Sequence, residues 1–335
     1  MHPMRSDTRV DQAEGLRRLL ARNHTRVVTM LSGKTGVGRT STTINLAAAM
    51  AQLGKEVLVL DENQSPDNIP DQLGLHARYD LLDIALQKCK SRDALLDTHG
   101  FSVLPAARAM NFLARMSRAE QQRMENALAE LTTNADVLLV EAAMPVLMKS
   151  PDIRHCYQET IARALLASRD EGTVRQTGVS SGFPYGASLL VVMDATTSGI
   201  TDSYALIKRL AVESACLQFE IVVNKVADER AAMIVFENMA KVAWHKLSAR
   251  LEYLGCIPRD ERLKRAIRHG RTVGEAYPAS ISAKSYLEMA HGLLHLPLRR
   301  DAAGVGVRTA MPDLSGKISQ PIRQHSKNVT HAVNL

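Results

Sequence analysis

The sequence predicts an α/β fold with a mostly parallel, twisted sheet covered by helices on both faces. Nearly all-apolar runs such as Val57–Leu60 and Val137–Val140 recur along the chain, as expected of strands that are buried on both sides. Helical patterns lie between most of these runs, and this alternation is typical of parallel sheets. A glycine-rich loop follows the first run, and a strand, a loop and a helix in that order form a phosphate-binding unit.

The expected strands can be placed in order along the chain. They lie at residues 26–31, 56–60, 101–104, 136–141, 188–193, 219–224 and 252–256. Helical patterns between them include residues 118–132, 200–214 and 230–250. Ligands of such sheets bind at the carboxyl ends of the strands, so we expect the site at the edge where the glycine-rich loop lies.

Four segments are predicted from composition. Residues 1–25 form an N-terminal segment, and residues 26–298 form the α/β domain. Within that domain, residues 168–187 are rich in Gly, Ser and Thr without an apolar period, which predicts a mobile surface insertion. Residues 299–335 have few large apolar side chains, which predicts a basic, disordered tail.

Charge and cysteine content exclude several classes of protein. The net charge is +7, but residues 1–26 hold six basic and three acidic residues, and residues 299–335 hold six and two. The rest of the chain is therefore neutral, so a DNA-binding surface on the folded domain is not expected. The cysteines form no C-x-x-C pair, which argues against a zinc or iron–sulfur site. Without a signal peptide or an 18-residue apolar run, a cytoplasmic location is expected.

The glycine-rich loop, Ser32–Ser41, reads S-G-K-T-G-V-G-R-T-S. It fits the pattern G-x-x-x-x-G-K-[ST], except that Arg39 stands where lysine is usual. Backbone N–H groups of such a loop surround phosphate oxygens, and the following helix directs its positive end at the same anion. The alternative interpretation is a glycine turn between core elements.

A lysine two residues before the middle glycine, as Lys34 stands to Gly36, marks a deviant form of this loop, and the chain resembles the MinD/ParA ATPases. The resemblance implies an ATP-dependent homodimer in which Lys34 reaches the phosphates of the opposite subunit. It also implies that ATP is bound by Gly33, Lys34, Thr35, Gly36, Val37, Gly38, Arg39, Thr40 and Ser41.

Other matches extend over most of the chain. Asp61 ends a strand like the one that carries the family's magnesium-side aspartate, so Thr40 and Asp61 are the implied Mg²⁺ residues. Residues 135–141 resemble the Walker B strand, with Glu141 where Asp is usual, and residues 197–208 are close to another family segment. By the same resemblance, the adenine side is formed by Asn224, Pro258 and Asp260.

The N-terminal segment resembles one branch of the family, the flagellar number and placement regulators FlhG, FleN and YlxH. The branch carries a D-Q-A-x-x-L-R helix, and this chain has that sequence at Asp11–Arg17. The resemblance implies that the segment binds and stimulates an FlhF-type signal-recognition-particle GTPase, with Gln12 as the stimulating group. Further implied partners are a transcription activator and a C-ring protein. The implied contact residues are Asp11, Gln12, Ala13, Leu16 and Arg17. An amphipathic helix packed on the core is the alternative.

A leucine-rich stretch at residues 286–298 resembles the family's membrane-targeting helix. It implies peripheral contact with the inner face of the cell membrane, at the pole. The alternative is that the leucines pack on the domain and Pro297 ends the helix.

Three departures from the family pattern predict slow catalysis. Arg39 replaces a compact ammonium by a larger planar group. Thr35 restricts the loop backbone where the family has glycine. Asn63 stands where a catalytic carboxylate is usual, and an amide positions water but cannot accept its proton. The sequence therefore predicts a slow ATPase or a nucleotide-binding switch. The alternatives are a ParA-like DNA-partitioning ATPase and a catalytically degenerate nucleotide-binding scaffold.

Overall fold

The computed structural model describes residues 25–142, 188–214 and 216–296. The partner-binding residues 11–17, the insertion at 168–187 and the tail at 299–335 therefore lie outside the described residues. All described residues belong to one of two units, Met1–Arg300. Within the described ranges, no helix has both the length and the apolar character needed to cross a membrane.

The core element is an eight-stranded sheet with the order β3-β4-β2-β5-β1-β6-β7-β8. Neighbouring strands are parallel except β3 and β4. The strands are β1 (Arg26–Leu31), β2 (Val57–Asp61), β3 (Leu96–Thr98), β4 (Phe101–Pro105), β5 (Val137–Glu141), β6 (Ser188–Asp194), β7 (Gln218–Val226) and β8 (Arg250–Pro258). The predicted sheet and all seven predicted strands are confirmed. The eighth strand, β3, was not predicted, because three residues show no apolar alternation.

Helices connect most of these strands. They are α1 (Arg39–Gln52), α2 (Ile69–Leu73), α3 (Leu81–Ala85), α4 (Ala107–Phe112), α5 (Arg118–Thr132), α6 (Thr197–Ser214), α7 (Glu229–Leu247), α8 (Glu261–Arg268), α9 (Val273–Ala276) and α10 (Ile281–His295). Side-chain caps fix several of the starts. Ser117 caps α5 by accepting from the Glu120 backbone N–H, and Asp228 caps α7 by accepting from that of Ala231.

The sheet buries apolar side chains on both faces, as its all-apolar strands predict. Successive residues of β1 point to opposite sides: Val27 and Leu31 join one cluster, and Val28 and Met30 join the other. The second cluster includes α1 and α10, and α10 packs across α1 through the fully buried Tyr286. This packing holds the helix that begins at the glycine-rich loop.

Parallel pairing brings the polar residues at the strand ends to one edge of the sheet. Asp61 at the end of β2 is opposite Glu141 at the end of β5. Asp194 at the end of β6 is opposite Asn224 in β7. The glycine-rich loop leaves β1 between these two pairs, because β1 lies between β5 and β6.

Candidate functional site

The glycine-rich loop has the backbone geometry of an anion site. Gly36 and Gly38 have φ angles of 77° and 92°, a region that side chains other than glycine rarely adopt. Gly38 is the N-cap of α1 and offers no side-chain cap. The first N–H groups of α1 therefore have no side-chain acceptor at the cap, which is the arrangement that binds phosphate.

Glycine is also required here by close packing. A Cβ atom on Gly38 would lie 2.3 Å from Asn224 Nδ2, and one on Gly33 would lie 2.2 Å from the Asp202 carbonyl carbon in α6. The loop is therefore held between α6 and the end of β7. Thr35 is exposed, Val37 is buried and Ser41 is half-buried.

Two residues at the end of β7 fix the loop. Asn224 Nδ2 donates to the Val37 carbonyl at 2.8 Å, and Lys225 Nζ donates to the Gly36 carbonyl at 2.5 Å. Lys225 has a φ of 58°, a strained value for a residue with a side chain. Sequence reasoning found Asn224 and missed Lys225.

Lys34 contacts the end of β6 and the first turn of α6. Its Nζ donates to Ser198 Oγ at 2.7 Å and to Thr196 Oγ1 at 3.3 Å, and lies 3.7 Å from Asp194 Oδ2. Burial raises the pKa of Asp194, but the Thr196 hydroxyl and N–H and the Lys34 charge outweigh it, so that the pKa lies below its usual value. Lys34 is therefore held within its own chain. The three partner residues were not predicted from the sequence.

Arg39 and Thr40 converge on Glu141. Arg39 Nε donates to Glu141 Oε1 at 3.1 Å, and Thr40 Oγ1 donates to the same oxygen at 2.5 Å. The Glu141 side chain has no exposed surface. Burial raises the pKa of Glu141, and Arg39 and the Thr40 hydroxyl oppose this.

Asp61 lies beside this group and is fixed by backbone donors. The N–H groups of Asn63 and Ile69 each donate to its carboxylate at 2.9 Å. Burial, and then the neighbouring Glu141, raise the pKa of Asp61 to about 7. A cation bound here would favour the charged form of both acids.

Asn63 lies at the same corner. Its Nδ2 donates to Thr40 Oγ1 at 3.2 Å and lies 3.4 Å from Glu141 Oε1. The structure therefore brings together four predicted residues, namely Thr40, Asp61, Asn63 and Glu141.

Pro258 ends β8, and Asp260 lies directly before α8. Asp260 caps α8 by accepting from the Arg262 N–H at 2.8 Å, and its other oxygen accepts from the Ser282 N–H at 3.3 Å. Arg259 Nε donates to the Lys225 carbonyl at 2.9 Å. This hydrogen bond joins the segment 258–260 to the end of β7. Contact of these residues with adenine stays a prediction.

The donor set fits Mg²⁺ carried by a nucleotide. Mg²⁺ binds oxygen ligands, commonly one or two carboxylates together with substrate phosphates. The corner supplies the Thr40 hydroxyl and two buried carboxylates, and within the described part of the chain Glu141 Oε2 is buried without a hydrogen-bond partner. Across the described ranges, no group of three or more His, Cys, Asp and Glu residues is placed to hold a metal by itself. The residues therefore form a partial set of metal ligands, which the phosphate oxygens of a nucleotide would complete.

A parallel sheet whose first strand leads through this loop into an uncapped helix defines a P-loop nucleotide-binding protein. A family model described as "CobQ/CobB/MinD/ParA nucleotide binding domain" matches residues 28–273. The chain belongs to this family.

Three described proteins are similar in sequence to this chain. The chain is 29% identical to the antiactivator FleN of Pseudomonas aeruginosa, over 83% of this chain and 89% of FleN. It is 22% identical to the flagellum site-determining protein YlxH of Helicobacter pylori, over 82% of this chain and 83% of YlxH. It is 24% identical to the septum site-determining protein MinD of Bacillus subtilis, over 80% of this chain and 88% of that MinD.

Solved structures share the fold. The MinC:MinD cell division complex of Aquifex aeolicus contains a chain that matches with a TM-score of 0.54 and 22% identity, covering 82% of this chain and 99% of that one. A plasmid partition protein of Borrelia burgdorferi bound to AMPPNP matches with a TM-score of 0.53 and 15% identity. The match covers 81% of this chain and 99% of that one. The predicted P-loop fold is therefore confirmed.

Proposed function

We propose that this protein is a MinD-like, ATP-binding switch that regulates flagellar number and placement. The main observation behind this proposal is the similarity to FleN, which extends over 83% of this chain. The similarity to YlxH, a flagellum site-determining protein, points the same way. The phosphate loop geometry supplies the nucleotide site that such a switch needs.

ATP and Mg²⁺ are the proposed ligands. The N–H groups of residues 33–41 would hold the phosphates, and Thr40, Asp61 and Glu141 would hold Mg²⁺. When bound, Mg²⁺ neutralises charge that develops on the phosphate oxygens. Asn224, Pro258 and Asp260 would contact the adenine. Lys34 would leave Ser198 and reach the phosphates of a second subunit.

Hydrolysis is proposed to be slow. Asn63 lies at the corner where Thr40 and Glu141 meet, and its amide orients water without accepting a proton. Phosphoryl transfer depends mainly on positioning and electrostatic stabilisation, so turnover would be reduced and not abolished.

The remaining parts of the proposal concern segments outside the described residues. Residues 11–17 would engage an FlhF-type GTPase, with Gln12 as the stimulating residue. A transcription activator and a C-ring protein are the other proposed partners. We also propose a cytoplasmic protein that contacts the cell membrane at the pole.

Two experiments test this function. Deletion of the gene in the source bacterium should change the number or position of flagella, and a Lys34→Ala copy should not restore the pattern. In vitro, a peptide of residues 1–25 should stimulate GTP hydrolysis by the FlhF-type GTPase, and the same peptide with Gln12→Ala should not. Unchanged flagellation in the deletion strain would refute the cellular role.

A ParA-like DNA-partitioning activity is the second candidate. One observation favours it: α8 exposes the basic residues Arg262, Lys264, Arg265 and Arg268. The folded domain is neutral overall, but its charge is locally uneven. Binding to random duplex DNA that weakens steeply with salt, and that Arg265→Ala together with Arg268→Ala reduces, would favour this activity over the flagellar one.

A further inference from the structure

Two departures from the family pattern, Arg39 and Glu141, contact each other although 102 positions separate them in the sequence. Arg39 stands where the loop normally has lysine, and Glu141 stands where the strand normally has aspartate. Both replacements are larger than the usual residue. The Arg39 Nε to Glu141 Oε1 distance is 3.1 Å, and the Arg39 side chain is itself 11% exposed.

The Glu141 carboxylate needs a cation. It is fully buried, and an unpaired buried charge is strongly destabilising. Asp61 lies beside it, and repulsion between the two carboxylates helps to raise the pKa of Asp61. Arg39 supplies this positive charge in the structure. A second nitrogen of its guanidinium lies 3.5 Å from Ser32 Oγ, at the start of the glycine-rich loop.

The carboxylate is only half satisfied by these contacts. Three donors approach Oε1, from Arg39, Thr40 and Asn63. Oε2 is buried and has no hydrogen-bond partner among the residues that the structure describes. An oxygen of this kind beside a threonine hydroxyl suits a hard divalent cation.

We propose that Arg39 and Mg²⁺ compete for the Glu141 carboxylate, so that the guanidinium stabilises the nucleotide-free site and withdraws when Mg²⁺ enters. This inference rests on the proposed function, because it assigns the same corner to the metal. Arg39 then has two positions, on Glu141 without the metal and towards the loop with it. An exchange of one cation for another keeps the buried carboxylate compensated in both states.

The competition has a measurable consequence without nucleotide. When the competing pair is formed in about nine molecules of ten, the apparent Mg²⁺ affinity falls about tenfold. Removal of the guanidinium should therefore raise the affinity for Mg²⁺ alone by about tenfold or more, and Mg²⁺ should raise the unfolding temperature of the variant more than that of the native chain.

The test measures unfolding temperature against Mg²⁺ concentration for the nucleotide-free full chain and for Arg39→Met. The exposed Arg118 on α5 provides the matched control Arg118→Met. The double variant Arg39→Met with Glu141→Gln removes one of the two carboxylates proposed to hold the metal, so its response to Mg²⁺ should fall well below that of Arg39→Met. If Arg39→Met does not fold, Arg39→Lys is measured in its place. The response of Arg39→Lys to Mg²⁺ should be larger than that of the native chain and smaller than that expected for Arg39→Met.

An equal response to Mg²⁺ in the native chain, Arg39→Met and Arg118→Met would overturn the inference. A response in the double variant as large as that of Arg39→Met would also overturn it, because the metal would then not depend on Glu141. ATP binding is measured separately on the native chain. Failure of ATP to bind would count against the proposed function and would leave the result with Mg²⁺ alone unchanged.

Discussion

Asn63 donates a hydrogen bond from Nδ2 to Thr40 Oγ1 at 3.2 Å. This places an amide among the residues proposed to hold Mg²⁺, where a carboxylate is usual in the family. Asp61 and Glu141 already lie at this corner, and the pKa of each carboxyl group is raised above its usual value by burial. The amide therefore avoids a third carboxyl group at a corner where two carboxyl groups already disfavour ionisation.

Asn63→Asp should have opposite effects on stability and on turnover. A third carboxyl group should lower the free energy of unfolding without Mg²⁺ by about 0.5–3 kcal/mol, the usual range for a destabilising substitution. With Mg²⁺ and ATP the added base should raise the hydrolysis rate. Denaturant unfolding and phosphate release at neutral pH measure the two effects. Family-like hydrolysis by the native chain, with no increase in the variant, would contradict the slow-switch account.

Gly38→Ala should remove nucleotide binding. The added Cβ would lie 2.3 Å from Asn224 Nδ2 at a φ of 92°, and a side chain in this backbone region costs about 1–2 kcal/mol before any clash. Titration with a fluorescent ATP analogue should show at least about tenfold weaker binding, equivalent to about 1.4 kcal/mol. Gly54→Ala is the control, because Gly54 also has positive φ but would have no atom within 4 Å of its Cβ. Native affinity in Gly38→Ala would argue against the loop as the phosphate site.

Asp260→Ala should lower stability in a pH-dependent way. Burial raises the pKa of Asp260, but the N–H groups of Arg262 and Ser282 outweigh it, so that the pKa lies below its ordinary value of 3.8. The stabilisation is therefore complete above that value and is lost as the pH falls through the lowered pKa. Loss of this helix cap should cost about 1 kcal/mol at pH 7, and the two stability curves should converge in acid.

Asp228→Ala provides the comparison for Asp260→Ala. Asp228 caps α7 by accepting from the Ala231 N–H at 2.8 Å, so its loss should cost similar stability. Only Asp260→Ala should also weaken ATP binding, since Asp260 is on the proposed adenine side. Equal ATP affinity in the two variants would remove Asp260 from the nucleotide site.

The strands and long helices were predictable because their apolar patterns are local. The run Val137–Val140 is buried on both faces, and the predicted helix at 118–132 has the observed bounds of α5. The start of α6 was placed three residues late, because its first turn is Thr-Ser-Gly and carries no apolar period. Strand β3 was missed because it forms through a hairpin at His99 and Gly100, both with positive φ.

The site was predictable only in part. Resemblance to the family's motifs pointed to the loop residues, Asp61 and Glu141, because each of these positions is fixed relative to one strand. The residues that hold Lys34 were not identified, since Ser198 is 164 positions away and approaches only when β6 pairs with β1. Lys225 was missed for the same reason, because its contact with Gly36 depends on the order of β1, β6 and β7.

The most direct test of the ATP switch is the molar mass of the purified full chain, measured by light scattering with Mg²⁺ and either ATP or ADP. We expect a monomer with ADP, a dimer with ATP, and a Lys34→Ala variant that binds ATP but stays monomeric. Lys264→Ala on the exposed side of α8 should dimerise like the native chain. A native chain that stays monomeric with ATP bound, or a Lys34→Ala variant that dimerises equally, would contradict the account.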